Sequence, residues 1–285
     1  MKLVSFEHHG RKSFGIWTPE GIVDLKSRLT RRCDDLRSFL STPEFESRSR
    51  FADAPIDVAE EDVVFLPVID RPDKILCVGM NYQEKRNEFD AHAAAPTLFI
   101  RFAYTQTGHR GPLVKPVETN EFDYEGELAV IIGRAGHHIP AAQALDHVAG
   151  YSCYMDATVR DWQHTWFTAG KNWVSTGGFG PCLVTTDEIA DPHDLRISTW
   201  LNGQRVQCDS TAGMIHKIPE LIEYISTFSP LLPGDVIITG SPGGVGKKRV
   251  PPLFLEENDL VEVEIEKIGR LSNTVVGSMT ERLCA

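Results

Sequence analysis

The chain has 285 residues, 41% of them hydrophobic and 24% charged, with a formal net charge of −11. That is ordinary composition for a globular protein and enough length for one large domain with a small appendage. The acidic balance and the lack of a basic block exclude nucleic acid as an expected partner, and no apolar run is long enough to make a membrane one.

The first seventy residues read as a small β-rich unit of their own, 1–70. Lys2 to Glu7, Ser13 to Trp17 and Gly21 to Val23 are short strand-like pieces separated by Gly and Pro turns, an antiparallel meander. Asp34 to Leu40 is an expected short helix, and Val63 to Pro67 a strand leading to a boundary at Asp70-Arg71-Pro72. The larger unit, 71–285, opens with a strand at Ile75 to Val78, a polar helix from Gln83 to His92 and a strand at Leu98 to Arg101. Residues 103 to 123 carry Gly108, Gly111, Pro112 and Pro116 and read as a loop.

Phe122 to Gly133 reads as one strand. Leu128 to Ile132 is continuously apolar, as in a strand buried on both faces. Glu125 and Glu127 stand at its entrance with Cα atoms roughly 6.6 Å apart on one face. Gly126 between them leaves room for a close neighbour. The pair has two readings: a solvated acidic edge, or a site for a hard divalent cation that offsets their repulsion. Ala141 to His147 is an expected short helix, and Ala149 to Asp156 a strand ending on a third acid. Asn202-Gly203 between two strand-like runs is a hairpin signal. Ile218, Leu221, Ile222, Ile225 and Phe228 repeat at helical spacing behind Pro219. Val236 to Thr239 precedes a glycine-rich turn, Gly240 to Gly246, whose N–H groups suit an anion, and Leu260 to Ile265 with Leu271 to Val276 forms a closing hairpin.

Six cysteines are scattered without a Cys-x-x-Cys pair, several inside apolar runs. Free buried thiols in a reducing cytoplasm are the expectation. The first residues, Met1 to His9, lack the apolar core of a signal peptide.

Glu125-Gly126-Glu127, the later Asp156, then Arg160-Asp161-x-Gln163 resemble the fumarylacetoacetate hydrolase family. Val78-Gly79-Met80-Asn81-Tyr82, Gly170-Lys171 and Thr239 to Gly246 agree and occur in the family's order. The resemblance implies a mostly β (α+β) fold, a mixed β-sandwich roll. It implies Mg²⁺ or Mn²⁺, with Ca²⁺ accepted by the same donors, on Glu125, Glu127 and Asp156. It implies a small 2-oxo or diketo acid as substrate, a homodimer, and hydrolysis of a carbon–carbon bond of an acylpyruvate. Lys171 matches the active-site lysine, and Tyr82, Arg160, Gln163 and Thr239 are candidate substrate contacts.

The chain departs from the family where water is activated. Many members have Asn-Tyr-x-x-His-x-x-Glu; here Lys85 stands in the His place and Glu88 is kept. Arg101 replaces a usual Lys, and Val174-Ser175 replaces a common Asp-Thr. Lysine is ordinarily protonated and is no base unless desolvated. If the reaction is hydrolysis, Glu88 is the expected base with Lys85 beside it. A lyase or isomerase on the same platform needs no activated water, and a non-catalytic 2-oxo acid binder is a third reading.

Overall fold

Alternation along the strand Gly126–Ile132 sets the architecture. Leu128, Val130 and Ile132 enter one apolar cluster, Ala129 and Ile131 another, and all are fully buried. A strand buried on both faces needs a layer on each side. The computed structural model, which describes residues 1–30, 32–91 and 94–278, supplies both. Gly126–Ile132 lies inside a large sheet that runs, edge to edge, Gly21–Asp24, Arg11–Thr18, Lys2–His8, Gly177–Thr185, Val148–Asp156, Gly126–Ile132, Val236–Ile238, Ile75–Gly79 and Thr97–Arg101. A second sheet runs Gln204–Ser210, Arg196–Leu201, Leu260–Ile265, Gly269–Gly277 and Pro112–Lys115. Val130 and Tyr151 of the first sheet share a cluster with Ile197, Val263 and Leu271 of the second. On the other face Ala129, Ile131 and Leu183 pack with Leu36 and Phe39 of the short helix Leu36–Leu40. The fold is mostly β with mixed sheets, as expected.

Local signals explain several elements. Asp35 caps Leu36–Leu40 by accepting from the Ser38 N–H, and Ser38 returns the bond to Asp35 N. Asn202 and Gly203 both take positive φ, 50° and 77°, as a two-residue hairpin requires. The helix Ile218–Phe228 starts on Pro219 and buries Leu221, Ile222 and Ile225.

Other elements differ from expectation. The N-terminal meander has no sheet of its own, because Lys2 and Leu3 pair with Val184 and Leu183 and extend the large sheet. The stretch from Phe122 to Gly133 is two strands, Phe122–Asp123 and Gly126–Ile132, with Glu125 in the break. The loop-like stretch 103–123 contributes Pro112–Lys115, which pairs in parallel with Gly269–Gly277. The polar helix ends at Phe89; His92, its expected end, and Cys284 lie outside the described residues.

His109 joins the N-terminal strands to the second sheet. Its ring meets Phe65 edge-on at 5.3 Å, and its Nδ1 accepts from Ser272 N at 3.2 Å. Burial, then the charge of Arg110, pushes the imidazole down from 6.5 to about 4. A depressed histidine contributes stability in full above the unfolded value, and that contribution drains away as pH falls from 6.5 to about 4. Denaturant unfolding of His109→Phe is expected to show a flatter pH slope in that window than the natural chain. Equal slopes would assign the acid sensitivity to other groups.

Candidate active site

The acidic residues meet because of strand register. Glu127 lies opposite Tyr154 on the neighbouring strand, so it faces the same side as Asp156, two residues further on. Glu125 is bound to that strand end by its carbonyl, which accepts from Asp156 N at 2.8 Å. One carboxylate oxygen from each of Glu125, Glu127 and Asp156 lies within 4.8 Å of the other two, and all three residues are buried. Gly126 does admit a close neighbour, which is the second sheet. A Cβ there would stand 2.1 Å from Thr199 Oγ1.

Basic side chains enclose two of the three acids. Glu125 Oε1 accepts from Lys85 Nζ at 2.7 Å and Arg160 Nη2 at 2.5 Å, and its Oε2 accepts from Lys171 Nζ at 2.6 Å. Asp156 Oδ1 accepts from Arg101 Nη1 at 2.5 Å, and its Oδ2 also accepts from Lys171. Burial alone would raise the Glu125 carboxyl, but Arg160, Lys171 and Lys85 outweigh it and hold it well below the usual range. Burial would likewise lower Lys171, yet Asp156 and Glu125 keep it above the ordinary lysine value. Lys85 goes the other way, lowered by burial against the opposing charge of Glu125.

Glu127 is the exception. Its Oε2 accepts from Gly240 N at 2.6 Å, and among the described residues no basic side chain pairs with it. Burial, then Asp156 and Glu125, pushes it well above the usual carboxylate range. A buried carboxylate facing two others, near Lys171 and Lys85 but bonded to neither, fits a hard divalent cation, which an all-oxygen donor set suits.

The glycine-rich turn binds anions, but they are the protein's own. Gly240 N donates to Glu127, Gly244 N to Glu88 Oε1 at 2.6 Å, and Gly246 N to Asp123 Oδ1 at 2.7 Å. Asp123 in turn takes Arg160 Nε at 2.8 Å, which aims that guanidinium at Glu125. Thr239, the candidate carboxylate contact, spends its hydroxyl on Leu128 O at 2.9 Å. The hydroxyl that reaches the site is Ser241, which accepts from Lys85 Nζ at 2.9 Å.

The pocket over the acids is lined by Glu125, Glu127, Lys85, Arg160, Lys171, Gln163 and Ser241, with Val78, Met80, Phe99 and Phe167 as apolar wall. Its volume, ≈ 20 Å³, suits a single water. In this conformation it leaves no room for a small organic molecule. Larger hollows elsewhere, such as one of ≈ 710 Å³ beside Val64 and Tyr104, carry none of these carboxylates. Met80 holds a left-handed φ of 56° at the pocket's edge, strain of a kind that gathers at functional sites.

The candidates therefore divide. Glu125, Glu127, Asp156, Lys85, Lys171, Arg160 and Gln163 converge. Gln163 lines the pocket with its Oε1 held by Arg160 Nη1 at 3.2 Å. Glu88 is not in the lining, and Tyr82 is fully buried outside it, its hydroxyl without a partner among the described residues and its pKa raised by burial, then by Glu127 and Asp209. Sequence reasoning missed Ser241, Asp123 and Phe167. Only Asp123 carried a signal, its place two residues before Glu125.

Comparison with known proteins identifies the family. The family model of the fumarylacetoacetate (FAA) hydrolase C-terminal region matches residues 74–276. Rat oxaloacetate tautomerase Fahd2a, mitochondrial, is 38% identical over 267 residues, covering 90% of this chain and 84% of its own. Human oxaloacetate tautomerase FAHD2A, mitochondrial, is 42% identical over 236 residues, covering 80% and 74%. The crystal structure of a putative HpcE protein from Mycobacterium smegmatis superposes with a TM-score of 0.88 at 30% identity, covering 98% of this chain and 100% of that one. The cytoplasmic location expected from the thiols is overturned by the curated relatives, which are mitochondrial proteins. Buried thiols such as Cys77 and Cys153 record shielding from oxidation and do not tell one reducing compartment from another. The matched model spans residues 74–276, well over half of the chain, and the chain belongs to the fumarylacetoacetate hydrolase family.

Proposed function

We propose that the protein is a Mg²⁺- or Mn²⁺-dependent tautomerase or isomerase of a small 2-oxo acid of the oxaloacetate type, in preference to a carbon–carbon hydrolase. The observation that carries this reading is the fate of the water-activating pair. Lys85 fills the histidine position and is bound to Glu125, while Glu88 Oε1 is taken by Gly244 N outside the pocket lining. Tautomerisation moves a proton between carbon and oxygen of one molecule and consumes no water, so it needs neither partner as a water base. The tautomerase names of the curated relatives support the same reading.

A divalent ion on Glu125, Glu127 and Asp156 supplies Lewis acidity toward the keto and carboxylate oxygens of the substrate. Lys171, fixed between Glu125 and Asp156, presents positive charge where the enolate oxygen develops. Gln163, with Oε1 held by Arg160, has its amide N–H left to donate to a substrate oxygen. Lys85, whose basicity burial lowers, is our candidate to take the proton of the carbon beside the ketone in its neutral form, and the ammonium form, bonded to Glu125 and Ser241, is the one that gives it back. Phe99 and Phe167 exclude water from that carbon. We assign a homodimer as the working form, seated on the apolar surface of Ile100, Phe102 and Tyr104 at the edge of the large sheet. Light scattering giving only the 31.8 kDa monomer at micromolar concentration would remove that assignment.

Glu88→Gln separates the two activities. With Mg²⁺ or Mn²⁺ present, the variant is expected to tautomerise oxaloacetate within about threefold of the natural chain. Neither protein is expected to release pyruvate from a panel of acylpyruvates. Pyruvate release that disappears in Glu88→Gln would restore the hydrolase.

A further inference from the structure

We infer that Lys85 is a displaceable internal counter-ion: its ammonium holds Glu125 until a divalent cation takes that carboxylate, and the exchange loosens the helix Gln83–Phe89. This rests on the metal reading above and adds how the site loads. Four cationic side chains, Lys85, Arg101, Arg160 and Lys171, face four carboxylates, Asp123, Glu125, Glu127 and Asp156, and each of these residues is at most 5% exposed. In number these four cations match the four carboxylates when all are ionised, though none of the four bonds to Glu127. Two more positive charges entering that space are repelled unless one cation withdraws. Glu125 Oε1 also accepts two N–H donors already, which fills the lone-pair sites of one carboxylate oxygen.

The bonds decide which cation withdraws. Arg160 is tied to Asp123 and Gln163 as well as Glu125. Arg101 holds Asp156, Ala157 O and Thr176 Oγ1. Lys171 holds Glu125, Asp156 and Thr158 Oγ1. Lys85 holds one carboxylate, Glu125, and one neutral hydroxyl, Ser241. It also sits on a helix of seven residues whose N-cap, Tyr82, makes no side-chain capping bond. Its flexible stem can swing clear, and its ammonium, 5.6 Å from the Phe89 ring, keeps that contact within its own helix. Lys85 then becomes available to the substrate only after the cation is in place, which orders metal before substrate.

The test is Mn²⁺ titration by calorimetry on the full chain and on Lys85→Met, with amide hydrogen exchange of residues 83–89 in both. Lys85→Met is expected to bind Mn²⁺ roughly tenfold tighter, the worth of one charge-assisted hydrogen bond. Mn²⁺ is expected to speed exchange of the helix in the natural chain and to leave it unchanged in Lys85→Met. Equal Mn²⁺ affinities, or slower helix exchange in the natural chain on Mn²⁺ addition, overturn the inference while leaving the metal site standing. No Mn²⁺ binding by either protein overturns both. Should Lys85→Met fail to fold, the exchange measurement on the natural chain decides alone.

Discussion

Glu127→Gln is expected to lower turnover by at least about 10³-fold while the metal-free protein melts about 2–4 °C higher. The two effects have one cause. Glu127 is buried, faces Asp156 and Glu125, and pairs with no base among the described residues, so its charge costs folding energy when no cation is bound. Glutamine keeps an oxygen for Gly240 N and drops the charge. The pH dependence follows with a definite sign. A carboxyl raised above its ordinary 4.5 favours folding fully below that value and loses the contribution as pH climbs through its folded pKa. Metal-free natural protein should therefore lose stability relative to Glu127→Gln as pH rises above 4.5. Thermal melts in chelator across pH, beside turnover with Mn²⁺, check both halves. A variant that melts lower than the natural chain at neutral pH would mean that Glu127 has a counter-charge after all.

Lys171→Met should abolish turnover just as completely but with the opposite stability change, a loss of about 3–5 kcal/mol without metal. Lys171 is 1% exposed and bridges Glu125 Oε2 and Asp156 Oδ2, with Thr158 Oγ1 at 2.6 Å. Methionine fills much of the volume but leaves two carboxylates facing each other short of a cation. Mn²⁺ should recover part of the loss, because it supplies charge to the same oxygens. The measurement is urea unfolding of Lys171→Met with and without Mn²⁺. A stability within 1 kcal/mol of the natural chain, roughly the worth of an exposed pair, would show the lysine to be solvated and dispensable to the site.

These opposite signs come from contacts that only partly announce themselves in sequence. The acids were legible because Glu125 and Glu127 precede the unbroken apolar run Leu128 to Ile132 and Asp156 follows in the order of the family's motifs. Asn202-Gly203 and the helix Ile218–Phe228 were legible because their signals are local. The central strand Gly177–Thr185 was not, since Gly177-Gly178-Phe179-Gly180-Pro181 has the composition of a loop. It stays in the sheet by a register shift opposite Tyr151 and Cys153, and its glycines let Asn273 Oδ1 and His109 come close. The glycine-rich turn was read as an anion cradle, which it is. That its anions are Glu127, Glu88 and Asp123 depends on long-range packing. Thr239 and Ser241 are equally good hydroxyl donors on paper; Thr239 is spent on Leu128 O, and the chain turns at Gly240, with φ 99°, before Ser241 meets Lys85. The substitution at Lys85 was visible from the start and cast doubt on hydrolysis; its bond to Glu125 gives that doubt a physical form.

Enol-oxaloacetate tests directly whether the protein moves a proton on a 2-oxo acid without cleaving a carbon–carbon bond. Decay of the enol absorbance is followed on adding the protein with Mg²⁺ or Mn²⁺, then again after exhaustive chelation. Pyruvate is assayed in the same samples. Fast, saturable, chelator-sensitive loss of the enol is expected, with no pyruvate above the uncatalysed background. Enol decay no faster than in buffer, or unchanged after chelation, would contradict the metal-dependent tautomerase.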